Sequence, residues 1–271
     1  MASHTHLIVG AGRMGGALIS GWLANKLLPP SKLIVLDPHP GAQAQTAIKK
    51  GVLHLSQPNA QLKDVDTVIL AIKPQMFGEL GAALAPFIAD KALVISILAG
   101  TSLESLQNCF NAAAIIRAMP NTPAAIGAGI TAFCAGKDVT KAQKKQAEKL
   151  LAAAGEVFEV ENEHMIDIVT AVSGSGPAYV FYMVEALEAA AIKAGLPEDI
   201  APAFARQTII GSGALLAKSP ESAMELRRAV TSPNGTTQAA LDVLMDANGL
   251  AVLMRETVKA ALKRAKELAQ N

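Results

Sequence analysis

A glycine-rich motif near the amino terminus has the spacing of a dinucleotide-binding turn. It follows the apolar run at residues 7–9 and opens a segment with helical spacing of apolar residues. In a G-x-G-x-x-G turn the first glycine permits a tight bend, the second lets the backbone approach a pyrophosphate, and the third lets helix and strand pack closely. A helix start also favours an anion. The predicted dinucleotide contacts in this turn are Gly10, Ala11, Gly12, Arg13, Met14 and Gly15.

An acidic residue, Asp37, ends the next apolar run at residues 33–36. A carboxylate at this place accepts hydrogen bonds from a ribose hydroxyl and repels a 2′-phosphate. No arginine follows it, since the next residues are Pro38, His39 and Pro40. Asp37 therefore favours NADH, which we expect to be used at least as well as NADPH. The alternative interpretation is that Asp37 caps the turn at the strand end.

Three loops follow later apolar runs, at residues 71–74, 97–100 and 119–123. The carboxyl ends of parallel strands meet at one edge of a sheet, where ligands bind. The lysine before Pro74 is predicted to contact the cofactor, with an ordinary surface lysine as the alternative. The predicted cofactor contacts in these loops are Ala71, Ile72, Lys73, Pro74, Ile97, Ala99, Met119 and Pro120.

Two clusters of small and hydroxyl residues lie in the second half. Residues 173–177 precede a long helical pattern, with Ser175 as a predicted cap and Pro177 in the first turn; a ligand at Ser175 is compatible with both. In residues 231–237, four hydroxyl side chains and several backbone N–H groups are expected to converge at a positive helix end, which suits a small carboxylate. The alternative is a Pro-Asn-Gly turn with a capping threonine.

Charge and composition exclude several classes of protein. The chain has 271 residues, 24 Lys plus Arg and 23 Asp plus Glu, so the net charge is +1, and no basic field favours nucleic acid or an anionic membrane. Hydrophobic residues make up 51%, which excludes disorder. The cysteines and histidines show no metal-ligand spacing, so no metal is expected. Charged or proline residues interrupt each long apolar stretch, and residues 1–6 lack a secretory pattern, which predicts a cytoplasmic protein.

The order of patterns predicts two domains. Short apolar runs alternate with helical stretches up to about residue 161, and only helical patterns follow. We expect an α/β Rossmann-like domain at residues 1–162, with a mostly parallel sheet covered on both faces, and an all-α domain at residues 163–271. The helical half is alanine-rich and too apolar for a lone solvated bundle, so we expect it to form an oligomer interface.

Taken together, the motifs resemble those of the pyrroline-5-carboxylate reductase family over essentially the whole chain. The resemblance implies a Rossmann domain, a helical dimerisation domain and the last step of proline biosynthesis. In that step a hydride from NADPH or NADH reduces the cyclic imine 1-pyrroline-5-carboxylate to L-proline. It further implies a homodimer and admits rings of dimers such as a decamer. The motifs that carry the resemblance are residues 10–15, 71–74, 119–123, 173–179 and 230–237.

The resemblance also assigns roles to single residues. Thr237 would hydrogen-bond the ring nitrogen, and the N–H groups of Gly235 and Thr236 would hold the substrate carboxylate. Glu163 matches a substrate-site acid. Further matches to family cofactor contacts are Asn59, Lys73, Ile97 and Ala99.

Two positions depart from the family pattern. Asn234 stands where glycine is frequent, and asparagine tolerates the positive φ that such a turn needs. Asp37 stands where many members have an uncharged or NADP-favouring residue.

Two other functions remain open on the sequence. A β-hydroxyacid or prephenate-type dehydrogenase shares the two-domain plan, but it needs a general base, and the helix after Pro177 has no Lys or His before Lys193. A dinucleotide-sensing protein without activity is the other alternative. The intact glycine motif and the hydroxyl cluster argue against it.

Overall fold

A single eight-stranded sheet organises the first part of the chain in the computed structural model, which describes residues 5–111 and 113–269. The strand order is β3-β2-β1-β4-β5-β6-β7-β8, and every neighbouring pair is parallel except β6 with β7. The strands are β1 (His6–Val9), β2 (Leu33–Leu36), β3 (Leu53–Leu55), β4 (Thr67–Leu70), β5 (Leu93–Ser96), β6 (Ala114–Met119), β7 (Gly129–Ala135) and β8 (Gly155–Glu159).

Helices connect these strands, as parallel pairing requires. Between strands lie α1 (Arg13–Ala24), α2 (Ala42–Lys49), α3 (Phe77–Leu84), α4 (Leu103–Phe110) and α5 (Lys141–Leu151), and α6 (Glu163–Val169) follows β8.

Two separate hydrophobic clusters show that the sheet is covered on both faces. Successive strand residues point to opposite faces, and β1 illustrates this: Ile8 packs in one cluster with Trp22, whereas Leu7 and Val9 pack in the other with Phe110. All four β1 residues are buried. The predicted Rossmann-like sheet with two covered faces is confirmed.

The chain divides into two compact units. The first runs up to Ser175 and includes the segment from Ala261, and the second is Gly176–Ala260. The expected boundary at 162/163 therefore lies one helix before the division between the units. The reason is that α6 carries Glu163 and Asp167, which pair with Arg117 of β6.

The second unit is entirely helical in secondary structure. Its helices are α7 (Gly176–Lys193), α8 (Ala201–Lys218), α9 (Ala223–Ala229), α10 (Thr236–Leu244) and most of α11 (Leu250–Ala269). Of the helices in the described ranges, none combines the length and apolarity needed to cross a bilayer.

Candidate active site

The glycine turn between β1 and α1 has a geometry that requires glycine at positions 10 and 15. Gly10 has φ +91°, and a Cβ there would lie 2.6 Å from the Ala71 carbonyl oxygen. A Cβ on Gly15 would lie 2.1 Å from the Gly10 carbonyl oxygen. A Cβ on Gly12 would instead meet nothing within 4 Å. The turn thus leaves open space beside Gly12, at the start of α1, where no side chain caps the helix and no acidic residue occupies its first turn.

The carboxylate of Asp37 binds backbone N–H groups on both of its oxygens. Oδ2 accepts from Ala11 at 2.6 Å, and Oδ1 accepts from His39 at 2.7 Å. The Asp37 carbonyl oxygen lies 2.8 Å from Nε2 of His54, which must carry the proton because a carbonyl only accepts. These contacts are the ones that the alternative interpretation predicts, in which Asp37 caps the turn at the end of the strand. Each carboxylate oxygen retains a second lone pair, so contact with a ribose hydroxyl remains a prediction.

A cavity of about 220 Å³ opens at the carboxyl ends of β4, β5 and β6. Six predicted cofactor residues line it, and they come from α1 and from the three loops that follow these strands. Asn121 and Thr122 also line it and belong to the loop 119–123, which was expected at this edge of the sheet, whereas Gly174 was not expected there. The predicted residues in the lining are Met14, Ala71, Ile72, Ile97, Met119 and Pro120.

Other predicted cofactor contacts lie outside this lining. Lys73 and Pro74 are exposed at the start of a 3-10 turn after β4, and Arg13 is exposed at the start of α1. Asn59 precedes another such turn, where its Oδ1 accepts the Gln61 N–H at 2.9 Å. Their cofactor contacts, and that of half-buried Ala99 in the loop after β5, stay predictions.

Arg117 of β6 forms a buried ion-pair cluster with two carboxylates of α6. Its guanidinium is 3% exposed and donates from NH1 to Oε1 of Glu163 and from NH2 to Oδ1 of Asp167, both at 2.9 Å. Oε1 of Glu163 also accepts the Leu103 N–H at the start of α4, at 2.8 Å. Glu163, predicted as a substrate-site acid, therefore already has two donors on one oxygen. Its other oxygen leaves the substrate role untested.

Cys134 lies opposite Arg117 in the β6–β7 register. Burial raises the pKa of its thiol to about 11, and the nearby carboxylate of Glu163 adds to this rise. Arg117 opposes the rise. The thiol is neutral at physiological pH, which fits a buried structural side chain rather than a nucleophile.

The segment around Ser175 continues helically instead of starting a new capped helix. A π turn spans Thr170–Gly174, and the Ser175 N–H donates to the Thr170 carbonyl oxygen at 2.8 Å. Ser175 itself has helical dihedral angles, φ −86° and ψ −22°. An N-cap residue is normally extended, so the prediction that Ser175 caps the following helix is wrong.

The hydroxyl cluster of the second unit precedes α10. Asn234 has φ +60°, as its place in the turn predicts. The Gly235 N–H donates to the Ser232 carbonyl oxygen at 3.0 Å, and a Cβ on Gly235 would meet Oγ of Ser232. The Thr231 hydroxyl donates back to the Arg227 carbonyl oxygen at 2.7 Å.

The Thr231 hydroxyl and the Gly235 N–H, two groups expected to bind a ligand, thus already have hydrogen-bond partners inside the unit. The expectation that four hydroxyls converge is wrong for Thr231, whose hydroxyl closes the end of α9. The Gly235 N–H closes the turn before α10. Thr236 and Thr237 remain at the uncapped start of α10, where a helix has backbone N–H groups without intrahelical partners.

Comparisons with known proteins agree with these motifs. The family described as "Pyrroline-5-carboxylate reductase dimerisation" matches residues 163–268, and that described as "NADP oxidoreductase coenzyme F420-dependent" matches residues 6–100. A pyrroline-5-carboxylate reductase of Synechocystis is 43% identical over 96% of this chain and 97% of its own. The chain belongs to the pyrroline-5-carboxylate reductase family.

Solved structures of family members extend this likeness to the fold. A pyrroline-5-carboxylate reductase from Coxiella burnetii superimposes with a TM-score of 0.90 at 34% identity, over 99% of this chain and all of its own. The Plasmodium falciparum enzyme, solved with NADP bound, has a TM-score of 0.83 at 28% identity over 99% of both chains. The family likeness therefore covers both units.

Sequence reasoning did not predict the ion pairs of Arg117 with Glu163 and Asp167, or the two hydrogen bonds of the Asn121 side chain. A single arginine at the end of the apolar run 114–116 was one available signal, because a charge there needs a buried partner. Glu163 and Asp167, four residues apart on one helix face, were the matching signal. Asn121 gave no such signal, since its partners lie far away in the sequence.

Proposed function

We propose that this chain reduces 1-pyrroline-5-carboxylate to L-proline with NADPH or NADH, the last step of proline biosynthesis. The observation that carries the proposal is the cavity at the strand ends, which gathers six predicted cofactor residues beside the glycine turn. Family membership over the whole chain supplies the substrate class. The chain is thus an NAD(P)H-dependent oxidoreductase that acts on a C=N bond.

The glycine turn and the cavity are proposed to bind different parts of the cofactor. The open space beside Gly12 and the uncapped start of α1 suit the pyrophosphate. The cavity lining is mostly apolar, from Met14, Ile72, Ile97 and Met119, and suits a planar nicotinamide ring. When bound, the reduced cofactor supplies the hydride.

The start of α10 suits the substrate. The Thr237 hydroxyl hydrogen-bonds the ring nitrogen, and the Thr236 N–H holds the carboxylate at the positive end of the helix. We do not assign the carboxylate to the Gly235 N–H, because that group bonds Ser232. Ser175 and Glu163 are further substrate contacts in this proposal. The imine carbon gains the hydride and the nitrogen gains a proton, so imine, reduced cofactor and proton give proline and oxidised cofactor.

The cofactor preference follows from Asp37. Its carboxylate ends β2, where the adenosine ribose is expected, and it disfavours a 2′-phosphate by like-charge repulsion. The two backbone donors on this carboxylate reduce its negative potential. We propose that NADH serves at least as well as NADPH.

The second unit supports a homodimer. Large apolar side chains on its surface include Phe181, Tyr182 and Phe204, each more than 60% exposed. A groove of about 680 Å³ lies between α7 and α8, and its lining is mostly apolar but includes Glu185, Glu188 and Arg206. We propose that a second copy of the chain covers these helices and that such dimers assemble into rings. We also propose that the protein is cytoplasmic. Light scattering at micromolar concentration should detect at least a dimer, and a monomer would contradict the proposal.

The assay for the activity follows NAD(P)H oxidation with 1-pyrroline-5-carboxylate and, in a parallel reaction, NAD(P)+ reduction with β-hydroxyacid dehydrogenase substrates. Only the imine should be turned over. Thr237→Ala should lower turnover by about 10- to 100-fold, since one oriented hydrogen bond is worth on the order of 1–3 kcal/mol. Thr237→Ser keeps the hydroxyl and is the matched control. Equal kinetics for wild type and Thr237→Ala would remove Thr237 from the mechanism.

A further inference from the structure

The side chain of Asn121 joins two separate segments to the loop after β6. It is 9% exposed and uses both of its polar atoms. Oδ1 accepts the Ile130 N–H of β7 at 3.0 Å, and Nδ2 donates to the Ser173 carbonyl oxygen of the π turn at 3.1 Å. One buried amide therefore fixes the position of the π turn relative to the sheet edge.

The Ser173 carbonyl oxygen accepts from a side chain because the sequence denies it the usual backbone donor. In a continuing α-helix it would accept the N–H of residue 177. That residue is Pro177, which has no N–H. Earlier in the same helical segment, the carbonyl oxygens of Ile166 and Val169 accept hydrogen bonds from the hydroxyls of Thr170 and Ser173. Asn121 thus supplies the bond that the proline withholds.

The segments that Asn121 joins form one wall of the cavity. Met119 contributes from the end of β6, Asn121 and Thr122 from the following loop, and Gly174 from the π turn. The contact between them is close, because a Cβ on Gly174 would lie 2.8 Å from Cε of Met119. A shift of the π turn would therefore move Met119 and change the shape of the cavity. Single π turns inside α-helices are frequent at functional sites.

We propose that Asn121 is a positioning residue for hydride transfer. It holds the π turn against the loop after β6, so that the cavity keeps the shape that orients the nicotinamide. Its amide atoms are both committed to the backbone, so it acts through the wall rather than through the reacting atoms. This inference rests on the proposed function.

The first test replaces the donor only. Asn121→Asp keeps the size and one acceptor, but it turns an oxygen toward the Ser173 carbonyl. Misplacing a reacting group by about 1 Å costs on the order of 10²-fold, so kcat should fall about 10- to 100-fold. The primary isotope effect on kcat with 4-deuterated cofactor should rise, because hydride transfer becomes slower than the other steps. A loss of folded protein alone lowers kcat without changing the isotope effect.

The second test restores a donor from the other side. Pro177→Ala gives residue 177 an N–H that can bond the Ser173 carbonyl. In the Asn121→Ala background it should recover most of the lost kcat and return the isotope effect toward the wild-type value. This pair also decides the question if Asn121→Asp does not fold.

Gln146→Ala is the matched control, since it removes a part-buried side-chain bond of 2.7 Å to Thr67 in the same unit, outside the cavity lining. It should keep the wild-type kcat and isotope effect. If the wild type does not reduce the imine, the proposed function fails. If the wild type is active and Asn121→Ala behaves like Gln146→Ala, or gains nothing from Pro177→Ala, the positioning role is refuted.

Discussion

Replacing Arg117 by methionine should be the most destabilising single change considered for this fold. The substitution keeps an unbranched apolar stem and removes the guanidinium that pairs with Glu163 and Asp167 at 2.9 Å. Both carboxylates then lack their cation. Because Asp167 is only 13% exposed in its side chain, water does little to replace the lost partner there.

The expected loss follows from the burial of each partner. Breaking a buried ion pair from one side costs about 3–5 kcal/mol. Glu163 is 32% exposed and keeps the Leu103 N–H, so its share is close to that of a surface pair, about 0–1 kcal/mol. The substitution also removes Nε of Arg117, a buried donor with no hydrogen-bond partner among the described residues. The net free energy of unfolding should therefore fall by about 3 kcal/mol.

Urea unfolding followed by circular dichroism measures this loss. The matched control is Lys144→Met, which breaks the exposed ion pair with Glu159 and should cost less than about 1 kcal/mol. Adding Asp167→Leu to Arg117→Met removes the uncompensated charge and should recover more than half of the loss. A cost for Arg117→Met no larger than that of Lys144→Met would refute the buried-pair reasoning.

Four further outcomes are expected. Gly174→Ala places a methyl 2.8 Å from Cε of Met119 and should raise the cofactor KM several-fold, and Met119→Ala should relieve this effect. An unchanged KM would show that this cavity does not hold the cofactor. The pKa of the Cys134 thiol is raised from 9.0 to about 11 in the folded chain, so the folded state holds this proton more tightly than the unfolded state. The free energy of unfolding should therefore keep its full value below pH 9 and fall by roughly 2–3 kcal/mol between pH 9 and 11. Urea titrations of Cys134→Ala should lack this fall. Gly12→Asp should abolish cofactor binding in a fluorescence titration while the circular dichroism spectrum stays native. Asp37→Ser should raise kcat/KM for NADPH relative to NADH, since like charges about 4 Å apart repel by about 4 kcal/mol at an effective dielectric constant of 20, reduced by salt; a wild type that prefers NADPH tenfold with no change in the variant would contradict this.

The regular elements of the fold were predictable because their patterns are local. Buried runs such as 7–9 and 33–36 have no competing helical spacing, and the structure forms β1 and β2 there. Strand β3 was not predicted, because only three residues pair and only Leu55 is buried.

The cavity was predictable in part for a topological reason. Loops at the carboxyl ends of parallel strands must meet at one edge, so Ile72, Ile97 and Met119 could be placed together without contacts. Asn121 lies in the same strand-end loop, but its bridging contacts could not be predicted in this way. Its partners are 9 and 52 residues away, and only the folded chain brings the π turn beside the loop after β6.

Hydrogen-bond competition explains the other differences. The resemblance assigns Glu163 to the substrate, but the sequence does not show that Arg117 and Leu103 also bind its carboxylate. Asp37 has the same ambiguity, because a strand-end carboxylate suits a ribose hydroxyl and a backbone N–H equally well. The folded chain makes the backbone contacts, at 2.6 Å to the Ala11 nitrogen and 2.7 Å to the His39 nitrogen, and the ribose contact stays a prediction.

Deuterium transfer tests the proposed reaction most directly. The purified protein is incubated with 1-pyrroline-5-carboxylate and cofactor that carries deuterium at both C4 positions of the reduced nicotinamide, and the product is analysed by mass spectrometry and NMR. Direct hydride transfer predicts L-proline with one deuterium at C5, the former imine carbon, and none in a reaction without protein. Proline without deuterium, or no proline at all, would contradict the account.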